Sequence, residues 1–169
     1  MSDFKDPERM IDAIYNFADY IEGASEIGKT FSLNKKYNSI QNIIVAGMGG
    51  SAIGGDICNM LIKNELSIPL YICRNYTIPK WANTHTLVIV SSYSGDTEET
   101  LSAFEDAKSK ECQIIGITTG GALSKRISDN SLDCIFMPSG LQPRAALAYS
   151  FVPMLYLLLK LELIEIDLQ

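Results

Sequence analysis

Five short apolar runs alternate with helix-patterned segments along this 169-residue chain. The runs are Ser39–Ala46, Ile68–Cys73, Thr86–Ser91, Gln113–Thr118 and Leu132–Met137. Most read as near-continuous apolar stretches, as expected of strands buried on both faces. Strands of that kind, joined by helices, form an open parallel sheet with helices above and below. In such sheets ligands bind outside the carboxyl ends of the strands, near the switch in strand order. Four of the five runs end there in glycine- or hydroxyl-rich loops, namely GMGGS, SYSGDT, TTGG and PSG.

Helices are expected over Asp6–Ile27, Ser51–Asn64, Thr97–Lys110, Ala122–Asp129 and Pro143–Leu163. In the first, Ile11, Ile14, Tyr15, Ala18, Tyr20 and Ile21 fall on one stripe, with Asp6 as N-cap and Pro7 as first helical residue. Gly28–Asn38 reads as a polar connection, and Arg74–Thr84 as an irregular loop holding Pro79 and Trp81. The last helix is uncharged from Ala145 to Leu159 and contains Pro153. It falls short of the ~20 residues that span a bilayer. Its wide apolar face implies packing in the core or against a second subunit or domain, so self-association as a dimer is expected.

The first loop is the densest in glycine: five of the nine residues from Gly47 to Gly55. Glycine is entropically costly in ordered structure, so the density needs a sharp turn or a close approach to the backbone. A glycine loop feeding a helix N-terminus is also an anion site, with phosphate its commonest guest. Gly47, Gly49 and Ala52 fit the dinucleotide pattern G-x-G-x-x-A. The next strand ends in Arg74–Asn75 rather than in an acidic residue, which would suit a 2′-phosphate.

The second loop discriminates. Ser92, Ser94 and Thr97 surround Gly95 between a strand end and a helix start, and three hydroxyls with helix N–H groups make a compact phosphate cup. Capping and dipole effects account for Asp96, Glu98 and Glu99. Gln142–Pro143–Arg144 follows the fifth run. Pro143 suits a first helical turn, which sets Arg144 at a helix start, where a cation opposes the dipole. A residue held at an electrostatic cost points to function.

The net charge of −6 and pI of about 4.8 argue against a nucleic-acid partner. They leave a phosphorylated small molecule open, because backbone N–H groups and hydroxyls bind phosphate without net charge. Cys58, Cys73, Cys112 and Cys134 form no C-x-x-C pair, and no signal peptide is visible, so a reducing cytoplasmic setting without disulfides is expected. A single histidine, His85, and no ligand-spaced cluster argue against a metal site. No membrane segment and no cofactor are expected.

GMGGSAIGGD, SSYSGDTEETL, TTGG and P-x-G-x-QPRAALAYSF together resemble the N-terminal half of the bifunctional phosphoglucose/phosphomannose isomerases, of the sugar isomerase (SIS) domain superfamily. The resemblance runs from about Ile43 to Leu158. It implies a three-layer αβα sandwich with a five-stranded parallel sheet of flavodoxin-like type, and binding of a hexose 6-phosphate. Ser92, Ser94 and Thr97 would hold the phosphate, and Gly49, Gly50 and Ser51 would line the sugar side. Arg144 would stabilise the enediolate of an aldose–ketose isomerisation, which proceeds through a cis-enediol by acid–base proton transfer.

The family carries two such domains. Residues 1–38 are expected as an N-terminal helix and connection and 39–169 as one SIS domain, with no counterpart here to the second. The proton-transferring carboxylate, the ring-opening histidine and a C-terminal lysine of the family have no matching positions. A non-catalytic phosphosugar-binding or regulatory domain is therefore the alternative function. An NADP-dependent oxidoreductase, resting on the glycine pattern and Arg74, is a third.

Overall fold

A computed structural model describes Asp6 and residues 9–168. Among these, five parallel strands are β1 (Asn42–Ala46), β2 (Leu70–Cys73), β3 (Thr86–Ser92), β4 (Gln113–Thr118) and β5 (Asp133–Phe136), in the order β2-β1-β3-β4-β5. The helices are α1 (Met10–Tyr15), α2 (Phe17–Thr30), α3 (Gly49–Ile62), α4 (Glu98–Ser109), α5 (Gly121–Asp129) and α6 (Leu147–Lys160). This is the expected α/β sandwich. Its strand order reverses between β1 and β3, which pair with Ile44 beside Val88. The helices that follow these two strands leave for opposite faces, and a crevice opens between them at the carboxyl edge.

Alternation along the strands builds both faces. Ile43, Val45, Leu87, Ile89, Ile115 and Ile117 pack with α2, α3 and α6. Ile44, Ala46, Val88, Val90 and Ile114 pack with α4, α5 and the loop at Ile78 and Ala82. All seven residues of β3 are buried, as a central strand with both faces covered requires.

Several boundaries differ from the sequence expectation. The first helix breaks at Asn16. α1 starts at Met10 with Arg9 in its N-cap position, so Asp6 is not the expected N-cap. Its carboxylate still accepts N–H bonds from Met10 at 2.9 Å and Ile11 at 2.7 Å, and Pro7 lies outside the described residues. The expected apolar stripe divides at the break. Tyr20 and Ile21 pack against the core, whereas Ile11, Ile14 and Tyr15 stay exposed. β1 starts at Asn42 rather than Ser39, because Ser39 has a φ of 52°, which no strand accommodates.

The last helix starts at Leu147, not Pro143, and is buried almost throughout from Ala148 to Leu158. Its apolar face is covered within this chain by α2, α3 and the tail residue Ile164. The open face from which dimerisation was expected is therefore closed. Among the described residues no helix is long and apolar enough to cross a membrane.

Candidate functional site

The glycine-rich stretch is mostly helix. α3 begins at Gly49, so the turn after β1 shrinks to Gly47 and Met48. Four of the glycines answer to packing, and a Cβ on Gly47 would stand 2.7 Å from the Ser91 carbonyl oxygen. A Cβ on Gly54 would stand 2.5 Å from Ser150 Cβ of α6, and one on Gly55 would stand 2.9 Å from Val45 Cγ1 of β1. A Cβ on Gly50 would stand 2.8 Å from the Pro143 carbonyl oxygen and 3.6 Å from Arg144 Cα. Gly49 differs: its φ is 50°, and a Cβ there would meet nothing within 4 Å. Its empty side faces outward at the N-terminus of α3.

Because β1 and β3 are neighbours, this turn lies beside the loop Ser92–Thr97. Ser92 is buried; its Oγ accepts the Gly95 N–H at 3.1 Å and sits 3.0 Å from Thr97 Oγ1. Ser94 is exposed, and its Oγ accepts the Asp96 N–H at 3.2 Å. Thr97 occupies the N-cap position of α4 but makes no side-chain cap bond. The three hydroxyls thus ring the N-terminus of α4 and leave its cap unfilled, with Glu98 and Glu99 in its first turn.

Asp96 does not cap α4 as expected. Its carboxylate crosses to α5 and accepts the Ala122 N–H at 2.8 Å. The TTGG loop is a brace of the same kind. Gly95 carries a φ of 77°, its carbonyl accepts the Leu123 N–H at 2.9 Å, and a Cβ on it would strike Gly120 O at 1.9 Å. The fourth loop therefore stiffens the second.

Ser51 is buried, with its Oγ accepting the Tyr93 N–H at 3.2 Å. Its hydroxyl ties the first turn of α3 to the β3 loop. Arg144 lies in the turn before α6, outside the helix, so the expected opposition to the α6 dipole is absent. Its backbone leans on Gly50. Its side chain lines a mainly apolar cavity of about 220 Å³ with Met10, Ile14 and Phe17. The N–H bonds from Ile11 and Met10 hold the Asp6 carboxyl below its usual range, and the Arg144 charge adds to this.

Other candidates are engaged elsewhere. Arg74, considered for a 2′-phosphate, pairs with Asp56 of α3. His85 Nδ1 lies 3.2 Å from the Ser39 carbonyl oxygen, at the amino edge of the sheet and opposite these loops. Sequence reasoning missed Tyr93, which ties its own loop to the first turn of α3 and to the loops after β4 and β5. Its position between two serines in SYSG was the one available signal.

No family model matches the chain. Over 156 residues, 92% of its length, it is 49% identical to a bifunctional phosphoglucose/phosphomannose isomerase of Caldicellulosiruptor bescii, and covers 46% of that protein. A protein of the same name from Thermoplasma volcanium is 37% identical over 81% of this chain and 43% of its own length. The chain thus spans about half the length of the curated relatives it matches.

Solved structures share the fold. The C-terminal domain of glucosamine-fructose-6-phosphate aminotransferase from Francisella tularensis aligns with a TM-score of 0.61 at 16% identity, over 89% of this chain and 48% of that one. The NanR protein of Vibrio vulnificus, complexed with ManNAc-6P, aligns with a TM-score of 0.55 at 15% identity, over 90% and 59%. The chain is a homologue of the bifunctional phosphoglucose/phosphomannose isomerases, corresponding to about half of such a protein and built on the fold of a sugar isomerase domain.

Proposed function

We propose that this chain is the hexose 6-phosphate-binding part of an aldose–ketose isomerase that interconverts glucose or mannose 6-phosphate with fructose 6-phosphate. One observation carries the reading. Three hydroxyls ring an unfilled helix N-terminus beside the strand-order switch, in a chain 49% identical to a protein named for that isomerase activity. Ser92, Ser94, Thr97 and the first N–H groups of α4 take the phosphate, which suits the positive end of the dipole. The open side of Gly49, with Gly50 and Ser51 in the same turn, takes the sugar. Arg144 stabilises the negative oxygen of the enediolate, reaching it by a rotation from its present place beside α1. No cofactor enters this scheme.

Moving a proton between adjacent sugar carbons needs an acid–base group within hydrogen-bond reach. The chain's one histidine is at the far edge of the sheet, and Asp96 is bound to α5. That observation favours a second reading, in which the chain on its own binds the phosphosugar without turning it over.

The deciding experiment is thermal stabilisation by fructose 6-phosphate, with NADP and inorganic phosphate in parallel. A ligand at 100 times its dissociation constant adds about 2.7 kcal/mol. Stabilisation by fructose 6-phosphate that is lost in Ser94→Ala/Thr97→Ala is expected. Stabilisation by NADP alone would overturn the reading. Fructose 6-phosphate formed from glucose 6-phosphate, above the level of that double variant, would eliminate the binding-only alternative.

The same reading makes the chain a cytosolic protein, since its four thiols stand free and thiols persist in reducing compartments. It also makes it a dimer. With α6 covered, the apolar surface for that contact is Ile11, Ile14, Tyr15 and Phe17. A sedimentation run showing only monomer at micromolar concentration would remove this element.

A further inference from the structure

Tyr93 sits in the middle of the hydroxyl loop, yet it is 8% exposed and every polar atom it has is engaged. Its N–H donates to Ser51 Oγ at 3.2 Å, in the first turn of α3. Its carbonyl accepts from Thr119 N–H at 3.1 Å and from Thr119 Oγ1 at 2.8 Å, in the loop after β4. Its hydroxyl donates to the Pro138 carbonyl at 3.0 Å and accepts the Leu141 N–H at 2.9 Å, in the loop after β5. One residue therefore ties its own loop after β3 to the first turn of α3 and to the loops after β4 and β5.

The hydroxyl contacts matter most, because the loop they hold leads directly into Arg144. That loop is otherwise exposed from Pro138 to Gly140, and Gly140 has a φ of 96°. Downstream, Pro143 and Arg144 rest on the bare side of Gly50. The arginine backbone is thus set from two sides, by the first turn of α3 and by the Tyr93 hydroxyl. A buried hydroxyl giving and receiving one bond each is a fixed point, because either partner left alone would be an unpaired polar group.

We infer that Tyr93 is a positioning residue, whose hydroxyl fixes the Pro138–Leu141 loop and thereby sets where Arg144 stands relative to the phosphate cup. This rests on the phosphosugar reading of the site. Tyr93 itself touches no ligand in this scheme. Its backbone bonds hold the cup, and its side chain holds the arginine.

The two halves of that role separate by experiment. Tyr93→Phe keeps the ring and the backbone bonds and removes both hydroxyl bonds. Affinities for inorganic phosphate and fructose 6-phosphate are measured by titration calorimetry for the wild type, Tyr93→Phe, Arg144→Ala and the double variant. Inorganic phosphate reports the cup alone and stays within about twofold in Tyr93→Phe. Fructose 6-phosphate weakens about 3- to 10-fold, the range expected for one or two lost hydrogen bonds.

The double variant binds fructose 6-phosphate no more weakly than Arg144→Ala alone. Hydrogen exchange at the Leu141 amide, which needs no ligand, speeds up in Tyr93→Phe. Equal weakening of both ligands, additive losses in the double variant, or unchanged exchange at Leu141 would overturn the inference. A wild type that binds neither ligand would fail the phosphosugar reading and take this inference with it. A wild type that binds both, beside a Tyr93→Phe variant of unaltered affinity, would overturn this inference alone.

Discussion

The carboxylate of Asp96 accepts the Ala122 N–H at 2.8 Å, so a residue placed to cap α4 caps α5 instead. Ala122 is the second residue of α5, the position whose N–H an N-cap side chain serves. The bond locks the loop after β3 to the loop after β4 and leaves the N-terminus of α4 without a cap from Asp96. Asp96→Ala should cost about 1 kcal/mol, which lowers the melting temperature of a domain this size by about 2–4 °C. Asp96→Asn, which keeps an acceptor, should remain close to wild type. Urea midpoints of the two variants check the ordering.

Gly95 and Gly49 both carry positive φ, but they differ in what surrounds them. A Cβ on Gly95 would lie 1.9 Å from the Gly120 carbonyl oxygen, and backbone cannot swing aside as a side chain can. Gly95→Ala should therefore cost about 3 kcal/mol or more, from strain and overpacking together. Gly49→Ala meets open space and should cost only the ~1–2 kcal/mol of a left-handed residue. It should still weaken fructose 6-phosphate, because its methyl group enters the proposed sugar space. Equal destabilisation by the two substitutions would contradict this account.

The layers of the fold were legible because β1 and β3 to β5 are short, apolar and separated by helical patterns, and burial on both faces leaves that mark on composition. The hydroxyl loop was legible for a related reason: Ser92, Ser94 and Thr97 are adjacent in the chain. What could not be read was pairing across it. Nothing local says that Gly54 serves Ser150, or that Asp96 serves Ala122, 26 residues on. The glycine density looked like one anion loop, but most of it answers to helix and loop contacts that exist only in the folded chain. The start of α6 was misplaced because Pro143 suits a first helical turn and a tight turn equally well. The break at Asn16 has no sequence signature, since the apolar stripe runs through it.

Asp133 gives a pH prediction. It is 1% exposed at the start of β5 and accepts four bonds: Asn34 N–H at 3.0 Å, the Asn34 amide at 2.9 Å, Lys35 N–H at 3.1 Å and Tyr37 O–H at 2.9 Å. Burial pushes its carboxyl up, but the donors from Asn34, Tyr37 and Lys35 outweigh it and hold the carboxyl below its ordinary value. A folded pKa below the unfolded one means the stabilisation is complete above the unfolded value of about 3.9 and is lost as pH falls below it. Urea midpoints should be insensitive to this group between pH 5 and 7 and should fall below about pH 4. Asp133→Asn should cost about 2–3 kcal/mol at neutral pH, because its amide would face donors, and should flatten the acid limb. An acid limb of undiminished slope in Asp133→Asn would assign it to other carboxylates.

Whether α2 is an appendage or part of the core is decided where it meets α6. A Cβ on Gly28 would stand 2.3 Å from Tyr156 Cδ2 and 2.7 Å from Tyr156 Cβ, so the ring is struck at its root and cannot turn away. Alanine gains up to about 1 kcal/mol over glycine in a helix interior, but overpacking costs about 1–3 kcal/mol. Gly28→Ala should therefore destabilise the protein. Gly23→Ala on the same helix meets only the Tyr149 hydroxyl, at 2.9 Å, and the tip of a tyrosine can shift by a few tenths of an ångström. There the helix propensity should win, and the variant should be neutral or slightly more stable. Opposite signs in the two urea midpoints are expected of a helix packed into the domain. A gain of similar size in both would mean that α2 lifts from α6 without cost, and would make the N-terminal segment separable from the sheet.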